Sequence, residues 1–320
     1  MRFLGRRLVH GLFLLVGSSV LSFLLLELAP GDFFEEMRLN PQISPLTVAA
    51  LRHQYGMDRS LPVRYLLWVR SVMKGELGFS FSYNLPVSGL LLVRARNTLL
   101  LTATSALLAW ILALALGIWG AVQPGGWGGR MCGGVTSSLL AIPELLMGLA
   151  LLSLAVRTGW FPSGGLESLG AQELSLWGRL KDVAWHMALP TAALTLAAMP
   201  VITRHVRSAM AEALEAPFLR ALRGHGIRRS RLILTHALRA ASNPLISLLG
   251  LSIAGLLSGS LLIEVLLSWP GLGPLLLEAI LSRDIYVVIG TVLCSTVFLL
   301  AGNFLADLLL YASDPRMRVS

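Results

Sequence analysis

Few residues in this chain have the type and spacing to do chemistry, and the first is a carboxylate. Glu144 follows Pro143 within residues 131–156, a run with no other acid. Such an acid can meet a cation, an ammonium or a metal ion, or sit protonated or paired as a packing residue. The other usual reagents do not assemble. His186, His205, His225 and His236 lack the HExxH spacing that places two imidazoles on one helix face for zinc. Cys132 and Cys294 form no CxxC pair and read as small apolar packing residues. There is no GxSxG nucleophile turn, and no GxxxxGK loop followed by Ser or Thr to cradle a nucleotide.

The elements that position Glu144 follow from composition. The chain is 55% hydrophobic and 13% charged, with mean hydropathy +0.72. A water-soluble surface cannot be built from so few charges, so the chain is an integral membrane protein. A bilayer core takes about 20 apolar residues per helix. Six segments qualify: residues 8–29, 98–122, 131–156, 187–203, 244–263 and 285–306. None alternates polar and apolar at period two, so they are helices, not barrel strands. Asn243 and Pro244 read as the N-cap and first residue of the fifth. The expected fold is an all-α polytopic membrane protein with six transmembrane helices.

Arg2, Arg6 and Arg7 precede the first segment as in a signal peptide. The segment is too long for a signal core, and Glu27-Leu28-Ala29-Pro30 lacks a small-x-small cleavage pattern, so an anchor is expected. With the N-terminus inside, inner segments carry 14 Lys and Arg and outer ones 12. The first outer loop holds 8 of those 12, and loops of its length cross largely regardless of charge. Without it the balance is 14 to 4, which puts both termini in the cytoplasm.

Residues 204–241 then form a cytoplasmic loop with 8 of the 26 Lys and Arg. Basic charge beside a span also meets anionic lipid, so membrane lipid is an expected partner. Nucleic acid is not, for want of an aromatic stacking platform or a recognisable binding motif. Residues 209–223 are rich in helix formers, and Gly224-His225-Gly226 breaks them before helix-prone 227–241. Two helices with a glycine corner can present a short rigid element to a partner; an ordinary helical hairpin is the plainer reading.

At this point the residues resemble a known family. Glu212-Ala213 followed by Gly226 resembles the EAA-loop signature of bacterial ABC importer permeases, and the surroundings are similar to the dipeptide, oligopeptide and nickel permeases. Their pattern Y-V-R-x-A-R-A-K-G is met by Phe218-Leu219-Arg220-Ala221-Leu222-Arg223-Gly224-His225-Gly226. Leu222 and Gly224 depart from the usual Ala, and His225 from the usual Lys. Further matches run in order: Leu28-Ala29-Pro30-Gly31-Asp32, Tyr55-Gly56-Met57-Asp58, Gly75-Glu76-Leu77-Gly78, Gly159-Trp160-Phe161-Pro162, Ser268-Trp269-Pro270-Gly271-Leu272-Gly273, Arg283-Asp284 and residues 311–316. The opening block and the long first outer loop look like the first of the two permease types in these systems.

The resemblance implies a type I ABC importer permease in the bacterial cytoplasmic membrane, without chemistry of its own. Its implied partners are a second homologous permease, an extracytoplasmic substrate-binding protein, and two ABC ATPase subunits that bind ATP and Mg. Glu212, Ala213, Arg220, Arg223 and Gly226 would couple to the ATPase. The implied cargo is peptide, with nickel or another small solute open. The organisation expected is residues 1–97 as first span and outer loop, 98–311 as permease core with coupling loop 204–241, and 312–320 as cytoplasmic tail.

Ser44-Pro45 and Leu61-Pro62 should start helices in the outer loop, ending near Gly56 and Gly75, which either cover the spans or receive the binding protein. Glu144, with the GxxxG pair Gly255 and Gly259, is the candidate pathway; tight helix packing explains the glycines equally. Glu264 and Asp307 sit near span ends and read as structural. An ion-coupled secondary transporter is the alternative function, with Glu144 its one hint.

Overall fold

The computed structural model describes residues 2–28, 31, 33–38 and 43–313. Most of Leu28-Ala29-Pro30-Gly31-Asp32, and residues 314–320 of the expected tail, lie outside the described residues. Apart from one short hairpin, the regular structure of the described residues is helical. It runs α1 (Arg2–Leu28), α2 (Phe33–Arg38), α3 (Pro45–Gln54), α4 (Leu61–Val72), β1 (Phe79–Ser80), β2 (Leu85–Pro86), α5 (Val87–Val122), α6 (Trp127–Leu140) and α7 (Glu144–Thr158). After a 3-10 turn at Ala171–Glu173 come α8 (Leu176–Glu215) and α9 (Pro217–Gly224). Then α10 (Arg229–Arg231), a π-helical stretch (Leu232–Ala237) and α11 (Leu238–Ala240) lead into α12 (Ser242–Leu266), α13 (Leu272–Leu281) and α14 (Ile285–Ser313). Five helices are long and apolar enough to span a bilayer, and α6 with α7 supplies a sixth span if the bent pair is counted as one.

Three expectations need correction. Residues 131–156 are not one helix: α6 and α7 meet at a 92° bend around Pro143, which can give no N–H to the helix and pushes Ile142 out of helical geometry. Asn243 is not an N-cap, because α12 starts at Ser242 and Asn243 and Pro244 lie in its first turn. The fourth span is part of a 40-residue helix, α8, which at 1.5 Å per residue is ~60 Å long and continues well past residue 203.

The chain divides into two compact units. The first joins Met1–Thr98 with Pro270–Phe298. Here Trp68 of α4 packs with Phe23 of α1 and Ile289 of α14, Phe23 meets Tyr65 edge-on at 5.2 Å, and the Ser19 and Tyr65 hydroxyls lie 2.9 Å apart. Helix α4 thus covers α1 and the start of α14. Ser44 caps α3 by accepting the Leu46 N–H. Phe34, Val48 and Met57 form a second core, bordered by Tyr55 and Phe81. Buried Asp284 fastens the hairpin, accepting from the Ser80 hydroxyl at 2.7 Å and the Ser82 N–H at 3.1 Å. Tyr83 of the hairpin donates to Glu278; burial, then that carboxylate, pushes its phenol up to about 12.

The second unit comprises Leu99–Trp269 and Leu299–Ser320, and α8 is its axis. Toward the N-terminal half of α8, Leu189, Ala193 and Leu194 pack with Leu101, Ala155, Ile263 and Trp269. Toward its C-terminal half, Ile202, Val206 and Met210 pack with Ala109, Ala113, Leu232 and Leu245. Glycines set the tightest crossings. A Cβ on Gly117 of α5 would fall 2.7 Å from the Val206 side chain, and one on Gly250 of α12 would fall 2.8 Å from Ala306 Cβ.

Candidate functional site: a helical corner and an intramembrane cavity

Both groups of candidate residues lie in the second unit. The first group occupies the end of α8 together with α9 and its two flanking turns. Residues 209–223 are not the uninterrupted helix that their propensities suggest. Pro217 takes the first position of α9, where its missing N–H costs nothing, and Ala216 turns extended at φ −61°, ψ 138°. The Ala-Pro pair is the sequence signal for this corner. Arg220 reinforces it: its Nε and Nη2 donate to the Glu215 carbonyl at 3.0 and 2.8 Å, satisfying an acceptor that a helix C-terminus leaves without an intrahelical donor.

A second corner closes α9. His225 Nδ1 donates to the Ala221 carbonyl at 2.9 Å, and Gly226 adopts φ +75° with its N–H on the Arg223 carbonyl at 3.1 Å. A Cβ on Gly226 would meet nothing within 4 Å, so the glycine is required by backbone conformation and not by crowding. Beyond it, Arg229 Nη2 reaches the Val122 carbonyl of α5 at 3.4 Å.

Between the corners α9 is two-faced. Leu219 is 1% exposed and joins Met210, Ala213, Leu232 and Ala237 in one core, with Leu222 and Ile227 packed against it. Pro217, Phe218, Arg220, Ala221, Arg223 and Gly224 are exposed. Of the residues read from sequence, Glu212, Arg220, Arg223 and Gly226 are exposed along this corner, whereas Ala213 belongs to the core beneath it. Leu219, the anchor of the short helix, is inconspicuous in the sequence, where it stands in the motif as one more aliphatic residue.

The second group surrounds a cavity of about 390 Å3 whose lining includes Glu144, Ala198, Val201, His205, Ser252 and Gly255. Glu144 is the first residue of α7, at the bend and not inside a helix. Opposite it, a Cβ on Gly259 would fall 2.5 Å from Glu144 Oε1, so the missing side chain makes the room that the carboxylate occupies. Gly255, one turn away, has nothing within 4 Å of its Cβ position and lines the cavity wall. The structure thus brings Glu144, Gly255 and Gly259 together, and the close helix crossing of α12 falls instead at Gly250. His205 is an added lining residue that sequence spacing could not connect to Glu144. Among the described residues no three His, Cys, Asp or Glu side chains are grouped to hold a metal ion. Glu264 and Asp307 are both buried.

Comparison with known proteins agrees with this architecture. Residues 113–319 match the family model described as binding-protein-dependent transport system inner membrane component, and residues 1–102 match the N-terminal model of the same kind of component. The oligopeptide transport system permease protein AppB of Bacillus subtilis (strain 168) is 34% identical over 98% of this chain and 98% of its own length. The oligopeptide transport system permease protein OppB of Mycobacterium tuberculosis (strain ATCC 25618 / H37Rv) is 32% identical over 100% and 99%, and the dipeptide transport system permease protein DppB of Escherichia coli (strain K12) is 31% identical over 99% of each. In fold, a chain of the MetNI methionine ABC transporter in an inward-facing conformation superposes with a TM-score of 0.56, covering 70% of this chain and 96% of that one at 19% identity. The chain therefore belongs to the family of binding-protein-dependent transport system inner membrane components, and it is a multi-span permease subunit of an ABC importer of the bacterial inner membrane.

Proposed function

We propose that this permease imports peptides and that α9 is its point of coupling to ATPase subunits. The observation that carries the reading is the continuity of α8. One helix walls the Glu144 cavity through Ala198, Val201 and His205, then ends ten residues later at the corner that fixes α9. A displacement of α9 is transmitted along a helix whose buried face is packed over most of its length, as a rigid-body movement. Glu212, Arg220, Arg223 and Gly226 form or hold the exposed corner, and Ala213 keeps it close to the core.

In this reading ATP and Mg are bound by two partner ATPases, and the chain itself catalyses nothing. A second homologous permease completes the pathway, and an extracytoplasmic binding protein delivers the solute to the side opposite the cytoplasmic termini. Residues 1–97 serve as anchor and outer cover, and residues 98–311 as the permease core, whose α8 carries the movement. Peptide is favoured as cargo by the names of the relatives, and Glu144 gives the cavity a carboxylate to receive a peptide's ammonium group. The test is uptake into vesicles holding the complete transporter. Peptide accumulation that requires ATP and the binding protein, with the ATPases co-purifying, is expected. Accumulation driven by an ion gradient without ATP would contradict the reading.

A further inference from the structure

The first unit contains a second cavity, of about 300 Å3, where α3 turns into α4; Tyr55, Arg59, Arg64, Leu67, Trp68 and Tyr286 are among its lining. It has two guanidinium groups and no carboxylate in its lining. Arg64 is the unusual one. Its side chain is only 10% exposed; Nη1 meets Glu27 Oε2 at 3.1 Å, while Nε is buried with no acceptor among the described residues. A buried donor on a charged group is strongly disfavoured when nothing receives its proton. Arg59 is brought to the same cavity by a tight turn. Gly56 has φ +68°, the Arg59 N–H donates to the Gly56 carbonyl at 3.2 Å, and a Cβ on Gly56 would fall 3.5 Å from Arg59 Nε. Neighbouring acids are engaged elsewhere: Asp58 faces Arg52 at 3.7 Å, and Glu76 accepts the Ser71 hydroxyl at 3.1 Å.

The position of the cavity narrows the ligand. Glu27 is the last residue but one of α1, and Tyr286 is the second residue of α14, so Arg64 is held where two spans end. Trp68 and Tyr65 supply the amphipathic rings typical of that level. On the two helices joined by the Arg64–Glu27 pair, Leu24, Leu25, Leu28 and Leu66 are exposed, which offers acyl chains an apolar surface. We propose that this cavity binds the phosphate of an anionic phospholipid headgroup, with Arg64 and Arg59 as its ligands. Guanidinium groups suit phosphate through paired N–H donors, and the bound lipid would fasten α4 to the ends of α1 and α14.

Native mass spectrometry of the assembled transporter, with phosphatidylglycerol, phosphatidylcholine or inorganic phosphate added, tests the assignment. Phosphatidylglycerol should be retained in preference to phosphatidylcholine. Arg64→Gln and Arg59→Gln should each weaken its retention about fivefold or more, and Arg70→Gln on the same helix should not. Arg59 is exposed and outside the core, so its variant reports on the site even if Arg64→Gln disturbs assembly. Equal retention of both lipids, or no change in Arg59→Gln, would overturn the proposal. Inorganic phosphate binding without phosphatidylglycerol retention would also overturn it, in favour of a free-anion site.

Discussion

Glu144 and Gly259 act as one feature, a carboxylate and the space it fills. The sequence makes the acid conspicuous, since charge in a span costs at least about 2.5 kcal/mol on insertion scales and calls for a purpose. It cannot show that the residue opposite is Gly259, because their proximity depends on the 92° bend at Pro143 and on how α7 meets α12. The expected outcome for Glu144→Gln is peptide uptake reduced about tenfold or more, ~1.4 kcal/mol in the rate-limiting step, with normal assembly. Gly259→Leu should lose uptake as well, because its side chain would enter the volume of the carboxylate. Uptake assays across pH check both, and a Glu144→Gln variant that transports normally throughout would remove the acid from the pathway.

Helix identity is legible wherever apolar runs are long, whereas helix ends and interruptions are legible only where a turn residue is read for its mechanics. Ser44-Pro45 and Leu61-Pro62 carry such a signal, and the structure starts α3 and α4 there. Ala216-Pro217 carries the same signal, masked by the helix formers around it. Packing inside the corner is not legible either, because Leu219 differs from its aliphatic neighbours only by burial. Leu219→Ala should destabilise the seating of α9 by about 2–5 kcal/mol, seen as faster hydrogen exchange across residues 217–224. Arg220→Ala, whose guanidinium is exposed to solvent, should cost below about 1 kcal/mol in the same measurement. The seam between α5 and α8 is a separate case: Gly117→Leu must displace Val206, and the overpacking should cost ~1–3 kcal/mol and lower the thermal midpoint.

Across the molecule, hydropathy conveys the long apolar helices, and a spaced series of short motifs conveys family. The length of α8 is the property they cannot convey. Apolar residues mark only residues 187–203, yet the helix starts at Leu176, where Ser175 caps it, and runs to Glu215 because its more polar C-terminal flank still offers a buried face at Val206, Met210 and Ala213. That length joins the cavity to α9 and, in the proposed mechanism, carries the movement between them. The most direct measurement is ATP hydrolysis and peptide uptake recorded together in proteoliposomes, with native protein and Gly226→Val. A branched side chain at φ +75° costs roughly 1–3 kcal/mol of backbone strain and should reshape the corner, while its Cβ would meet nothing within 4 Å among the described residues. Transmission through α8 predicts an assembled transporter that still hydrolyses ATP and whose uptake per ATP falls about tenfold or more. Unchanged uptake per ATP in a correctly assembled complex would contradict it.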